Sequence, residues 1–195
     1  MRRLLLLVCA IVAADTAFFT ALTPLLPHYA DRFGLSKAEA GALVAAYAGG
    51  ALIGAVPGGL TASRWGPKRG VLIGLTLMSL SSFGFAIAGN VWMLGISRLL
   101  QGFGSVFSWA GGLAWLISTT PRGRRGALLG TAMGAAVFGA LLGPVLGALG
   151  GLVGVRTTFV TVSALGLLLK RLSEKSKEAT PVRSAPSEIN AIAGV

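Results

Sequence analysis

Charge is scarce in this chain. Only 12% of its 195 residues are Asp, Glu, Lys or Arg, about half the share in soluble domains. With 54% hydrophobic residues and a mean hydropathy of +0.78, the composition excludes an ordinary water-soluble globule and implies an integral membrane protein. Cysteine is nearly absent too: the single Cys9 lies in an apolar run, so no intrachain disulfide is available and it reads as a small packed hydrophobe. The one histidine, His28, without a second His or a Cys cluster, gives no metal site of ordinary type. It also lies at the outer end of the first apolar run, far from Ser105, so it makes no serine-hydrolase pair. Neither an enzyme nor a cofactor is expected.

Acidic residues are few, six against seventeen basic ones, for a net charge of +11. Such an excess can mark a nucleic-acid partner, but that requires Lys and Arg gathered on one folded face. Here they form short clusters between long apolar runs, so they read as topology signals and no nucleic acid is expected.

A span needs about 20 mostly apolar residues. Six candidates follow: Leu4–Pro27, Ala40–Ala62, Gly70–Gly89, Val91–Ile117, Ala127–Leu149 and Leu152–Leu169, the last being the shortest. The start, "MRRLLLLVCAIVAAD", has the ingredients of a signal peptide, yet the apolar run continues through "TAFFTALTPLLP" and makes a full span. Threading the chain through six spans puts thirteen of the seventeen basic residues on one side. Arg32, Lys37 and Arg156 lie on the other, and Arg98 lies within a span. The positive-inside rule then makes both termini cytoplasmic. The sequence from Leu172 onward turns polar and carries Pro and Ser without period, as a cytoplasmic tail or linker does.

Asp15 and Arg98 are the ionisable residues deep in spans, where a charge costs several kcal/mol and usually faces a cavity or a partner. At about 1.5 Å per residue, Asp15 is about 16 Å from the start of span one and Arg98 about 12 Å from the outer end of span four. In a core of about 30 Å both lie near the midplane. Two readings stay open: the pair faces one polar cavity, with Asp15 a reversible proton carrier, or it forms a static ion pair locking spans one and four. Gln101 and Ser105 continue the Arg98 face at helical spacing. Glycines recur at i+4 in span two (Gly50, Gly54, Gly58) and in span five (Gly130 and Gly134, then Gly139, Gly143, Gly147), a spacing that lets helices approach closely in lipid. Pro144 removes a backbone hydrogen bond from span five and should bend it. Gly66-Pro67 makes a tight turn between spans two and three.

These stretches resemble the N-terminal half of a major facilitator superfamily transporter, in pattern that of bacterial drug/proton antiporters, over roughly residues 4–171. "GGLTASRWGPKR" is similar to the family's loop between helices two and three, matched at Gly59, Arg64, Gly66, Lys68 and Arg69, with Ser63 where the family has an acidic residue. "RLLQGFGS" is similar to the helix-four motif, with Arg98, Gln101, Gly102 and Gly104 in place. "GALLGPVLG" is similar to the helix-five antiporter motif at Gly139, Gly143, Pro144 and Gly147. Asp15-Thr16 resembles an acidic first-helix motif of some multidrug members.

The resemblance implies an all-α membrane fold of six transmembrane helices, built as two inverted three-helix repeats. It implies a six-helix domain over 1–171 and, over 172–195, the linker between halves. It implies proton-coupled efflux of a small molecule across the cell (inner) membrane, with Asp15, Arg98 and Gln101 on the proton and substrate pathway. The loop and helix-five residues would serve conformational change. Members usually have twelve spans, so a second half is expected, from another copy or a separately encoded partner. The rival expectation is a truncated, non-transporting fragment or a helical interaction module. Phe18, Phe19, Phe103 and Trp109 suit a lipophilic or amphipathic substrate, and read equally well as core or lipid-facing residues.

Overall fold

The computed structural model describes residues 2–176 and contains six long α-helices joined by short turns. They are α1 (Arg2–Phe33), α2 (Lys37–Arg64), α3 (Pro67–Ile87), α4 (Val91–Ser118), α5 (Arg125–Val153) and α6 (Val155–Lys175), with one 3-10 turn at Arg122–Arg124. Each apolar run of the sequence becomes one helix, because a backbone in hydrocarbon can satisfy its N–H and C=O groups only within itself.

The turns follow local chemistry. Ser36 caps α2 with a reciprocal box: the Glu39 N–H donates to Ser36 Oγ (3.2 Å) while Glu39 Oε2 accepts from the Ser36 N–H (2.8 Å). Asn90 caps α4 by accepting from the Met93 N–H at 2.9 Å. Gly66 stands at φ 92°, a conformation that disfavours any side chain, with Pro67 opening α3 behind it. Gly154, at φ 106°, separates α5 from α6. Leu152 therefore closes α5 rather than opening the sixth helix. That helix runs on to Lys175, past the apolar stretch, because Lys170 to Lys175 lose nothing by staying helical outside it. Of the polar tail, residues 177–195 lie outside the described residues.

By length and composition, α1, α2, α3 and the segment Arg122–Leu152 are long and apolar enough to cross a membrane. α4 falls short of that measure because it carries Ser97, Arg98, Gln101, Ser105 and Ser108, all buried against its neighbours. α6 falls short because Thr157, Thr158 and Thr161 start it and basic residues end it.

Packing is organised in pairs: α1 lies along α5, α4 lies between α2 and α3, and α3 lies along α6. Glycine makes these approaches. A methyl group at Gly50 would collide with the Leu99 carbonyl, and at Gly54 would stand 3.0 Å from the Phe103 carbonyl. On the other pair, Gly139, Gly143 and Gly147 press against Ala13 and Thr16, Ala17 and Thr20, and Ala21 and Pro24. Gly130 and Gly134 meet nothing within 4 Å, so the expected close approach fails there: five residues separate Gly134 from Gly139, which turns the first pair off the face that meets α1, and Ala132 and Ala136 are buried in their stead.

Candidate functional site

The centre of the bundle is a buried polar cluster between α1, α2 and α4. Asp15, in the middle of α1, is 1% exposed; its Oδ2 accepts two hydrogen bonds, from Ser105 Oγ at 2.7 Å and from Trp109 Nε1 at 2.6 Å. Its other oxygen, Oδ1, is buried with no partner. The serine is held in turn by Tyr47 of α2, whose hydroxyl donates to Ser105 Oγ at 2.8 Å. Buried polar atoms are nearly always bonded, so Oδ1 stands out as an acceptor with room for a hydrogen that leaves both bonds at Oδ2 in place.

Arg98 is 2% exposed and sits about one helical turn along α1 from Asp15. Its Nη1 donates to Gln101 Oε1 at 2.7 Å and its Nη2 to the Phe19 carbonyl at 3.0 Å, while Nε has no partner. The guanidinium lies 5.1 Å from the ring centres of both Phe19 and Tyr47, a cation–π arrangement that supports a charge in apolar surroundings. Among the described residues no ion pair joins Arg98 to Asp15; each is held by neutral groups, and Arg98 reaches α1 at the Phe19 carbonyl. The two share a neighbourhood through Tyr47, which touches Arg98 with its ring and Ser105 with its hydroxyl.

Arg98 reaches the carbonyl of Phe19, four residues or about 6 Å along α1 from Asp15. Tyr47 had no expected role, and Trp109 was expected only as an apolar neighbour of the pathway. Trp109 lies one i+4 step beyond Ser105 on the same face, a signal that was available. Tyr47 gave none: its meeting with Ser105 depends on the register of α2 against α4.

The remaining expected residues lie elsewhere. Gly102 faces the Tyr47 carbonyl and Gly104 approaches Leu77 and Gly74, so both are packing positions of α4. At the turn between α2 and α3, Arg64 ends α2 and Arg69 is exposed. Lys68 Nζ donates to the carbonyls of Glu174 (3.0 Å) and Ser176 (2.7 Å), closing the C-terminus of α6. Ser63, in place of an acid, turns its hydroxyl to its own helix at Leu60. Gly59 faces open space. Pro144 sits in α5 with no N–H to offer the Ala140 carbonyl, and Thr20 of α1 fills that position from across the interface, its Oγ1 donating at 3.1 Å.

A protein-family model described as Major Facilitator Superfamily matches residues 6–192. Among curated proteins, the chain is 32% identical over 122 residues to the MFS-type transporter ppzB of Metarhizium rileyi, covering 60% of this chain and 25% of that protein. It is 40% identical over 79 residues to the quinolone resistance protein NorA of Staphylococcus aureus, covering 40% of this chain and 20% of that one. The chain thus spans about a quarter of the length of the curated relatives it matches. Among solved structures, it superposes on a bacterial homolog of the human lysosomal transporter Spinster with a TM-score of 0.84 at 17% identity, covering 94% of this chain and 44% of that one. Against the xylose transporter XylE from E. coli the TM-score is 0.78 at 20% identity, covering 90% and 50%. At these identities the two structures speak for the fold.

Proposed function

This chain belongs to the Major Facilitator Superfamily, and from that premise we propose that it is a six-span half of a secondary active transporter, lying in the cell (inner) membrane with both termini cytoplasmic. The reaction is efflux of a small molecule against protons, completed by a second six-helix half. α1–α3 and α4–α6 form its two inverted repeats. The matching glycine seams, α5 on α1 and α2 on α4, support that symmetry. The domain occupies residues 1–171, followed by a linker over 172–195.

The observation that carries this reading is the Asp15 carboxylate: buried, doubly hydrogen-bonded at Oδ2 and unpartnered at Oδ1. Asp15 exchanges the proton at Oδ1. Arg98, fixed by Gln101 and Phe19, biases the charge of the site without neutralising it. α5, seated on α1 through Gly139, Gly143 and Gly147 and carrying Pro144, is the element that moves, and the Gly59–Arg69 segment controls the adjoining end. The test is proton movement coupled to a quinolone, a probe suggested by the name of the NorA relative, in vesicles holding the chain together with a second half. Asp15→Asn should abolish the pH-driven flux while inserting at the native level. Undiminished flux in that variant removes Asp15 from the proton path.

A further inference from the structure

Two seams that the six-helix arrangement should make alike are built differently. α3 and α4 press together through glycine: a methyl at Gly111 would stand 2.6 Å from the Val71 nitrogen, and one at Gly104 would stand 2.8 Å from the Leu77 Cβ. α1 contains no glycine at all, and α6 touches it only lightly. Near residue 22 the seam is closed by bulk, with Leu22 and Leu25 of α1 in one buried cluster with Phe159 of α6. Toward the N-terminal end of α1 it opens into a cleft of about 710 Å³. Its walls are Leu6, Leu7 and Ala10 of α1 and Leu169 and Leu172 of α6, and Arg3 and Lys175 stand at its rim. Leu6 is 60% and Leu172 49% exposed.

We propose that this cleft is a binding site for an anionic phospholipid, one acyl chain lying between α1 and α6 and the headgroup phosphate held between Arg3 and Lys175. The shape and the charge both point to that occupant. Leucine walls open to the bilayer suit a hydrocarbon chain, and a pair of cations at the end of such a cleft matches a phosphate at headgroup depth. The adjoining helix ends are basic on balance, with Arg2, Lys170 and Arg171 against the single acid Glu174. A protein substrate or nucleic acid does not fit leucine walls set within a membrane span. This inference goes beyond transport and does not depend on it.

The experiment is native mass spectrometry of the full chain titrated in detergent with phosphatidylglycerol and, separately, phosphatidylcholine. The expected result is preferential retention of phosphatidylglycerol. Arg3→Ala with Lys175→Ala should weaken that retention roughly thirtyfold, two cations' worth, whereas Arg122→Ala with Arg124→Ala, which removes the same charge at the turn between α4 and α5, leaves it unchanged. Equal retention of the two lipids, or equal loss in both double variants, overturns the site. Should the Arg3 and Lys175 variant fail to fold, photoactivatable phosphatidylglycerol on the unaltered chain decides. Crosslinks concentrated at residues 3–10 and 169–176 support the cleft, and crosslinks confined to other helices overturn it.

Discussion

Asp15 is held by two neutral donors, and each donor can be removed without touching the carboxylate. Tyr47, Ser105 and Asp15 form a chain of hydrogen bonds, so a double-mutant cycle with Tyr47→Phe and Ser105→Ala should return a coupling of about 0.6–1 kcal/mol in detergent melting, the usual value for a hydrogen bond between membrane helices. Additive effects would mean that the two side chains do not communicate. Arg98 uses two separate nitrogens for Gln101 and the Phe19 carbonyl. Lysine keeps the charge but offers a single point of donation. Arg98→Lys should therefore lose most proton-coupled flux while melting near the parent temperature. Flux close to that of the parent would mean that charge alone is required.

The same residues show what the sequence could reveal. Arg98, Gln101 and Ser105 fall on one helical face by spacing alone, and a polar face in an apolar run announces a buried cluster. The distribution of bonds within it was not legible. Whether Arg98 meets Asp15 directly or through Tyr47 depends on how far α2 slides along α4, and that register is fixed where Gly50 and Gly102 let the two backbones touch.

At the scale of the helix, α5 rests on α1 by absence of side chains and by two hydroxyls of α1, Thr16 donating to the Ala136 carbonyl at 2.8 Å and Thr20 to that of Ala140. Gly143→Ala places a methyl against Thr20 and 2.5 Å from the Ala17 carbonyl. It should separate α5 from α1 and abolish flux with helix content unchanged by circular dichroism. Gly134→Ala, where a methyl meets nothing within 4 Å, should be tolerated. Thr20→Val strips the Ala140 carbonyl of the donor that stands in for Pro144, and should lower stability by about 1 kcal/mol. A Thr20→Val protein as stable as the parent would mean the carbonyl is satisfied otherwise.

Hydrogen bonds from the Ser36 backbone and hydroxyl hold the Glu39 carboxyl below its ordinary value. Its contribution to the α2 start is thus present above the unfolded value, near 4.3, and is lost as the pH falls through the lower folded one. Amide exchange at Lys37–Ala40 should quicken only in that acidic window, and Glu39→Gln should remove the pH dependence. The helix boundaries follow the same division as the site. Ser36, Asn90 and the Gly66-Pro67 turn are written in the sequence, while the close of α5 at Gly154 was missed because the apolar run continues on both sides of it.

For the whole molecule, six apolar runs were enough to read six long helices. The pairing of α1 with α5 and α2 with α4 was half legible, since glycines at i+4 mark a contact face without naming what lies opposite. Apolar side chains remain exposed along α2 (Leu52, Ile53, Val56) and α5 (Phe138, Leu141, Val145), as surfaces that meet lipid or a second half must be. The proposed transport pathway is shared between this six-helix unit and another. The measurement that bears on it most directly is proton flux from single vesicles whose labelled chains are counted by photobleaching. Flux is expected only in vesicles holding at least two six-helix units, and none in those holding one. Steady proton flux from vesicles with a single copy of this chain would contradict it.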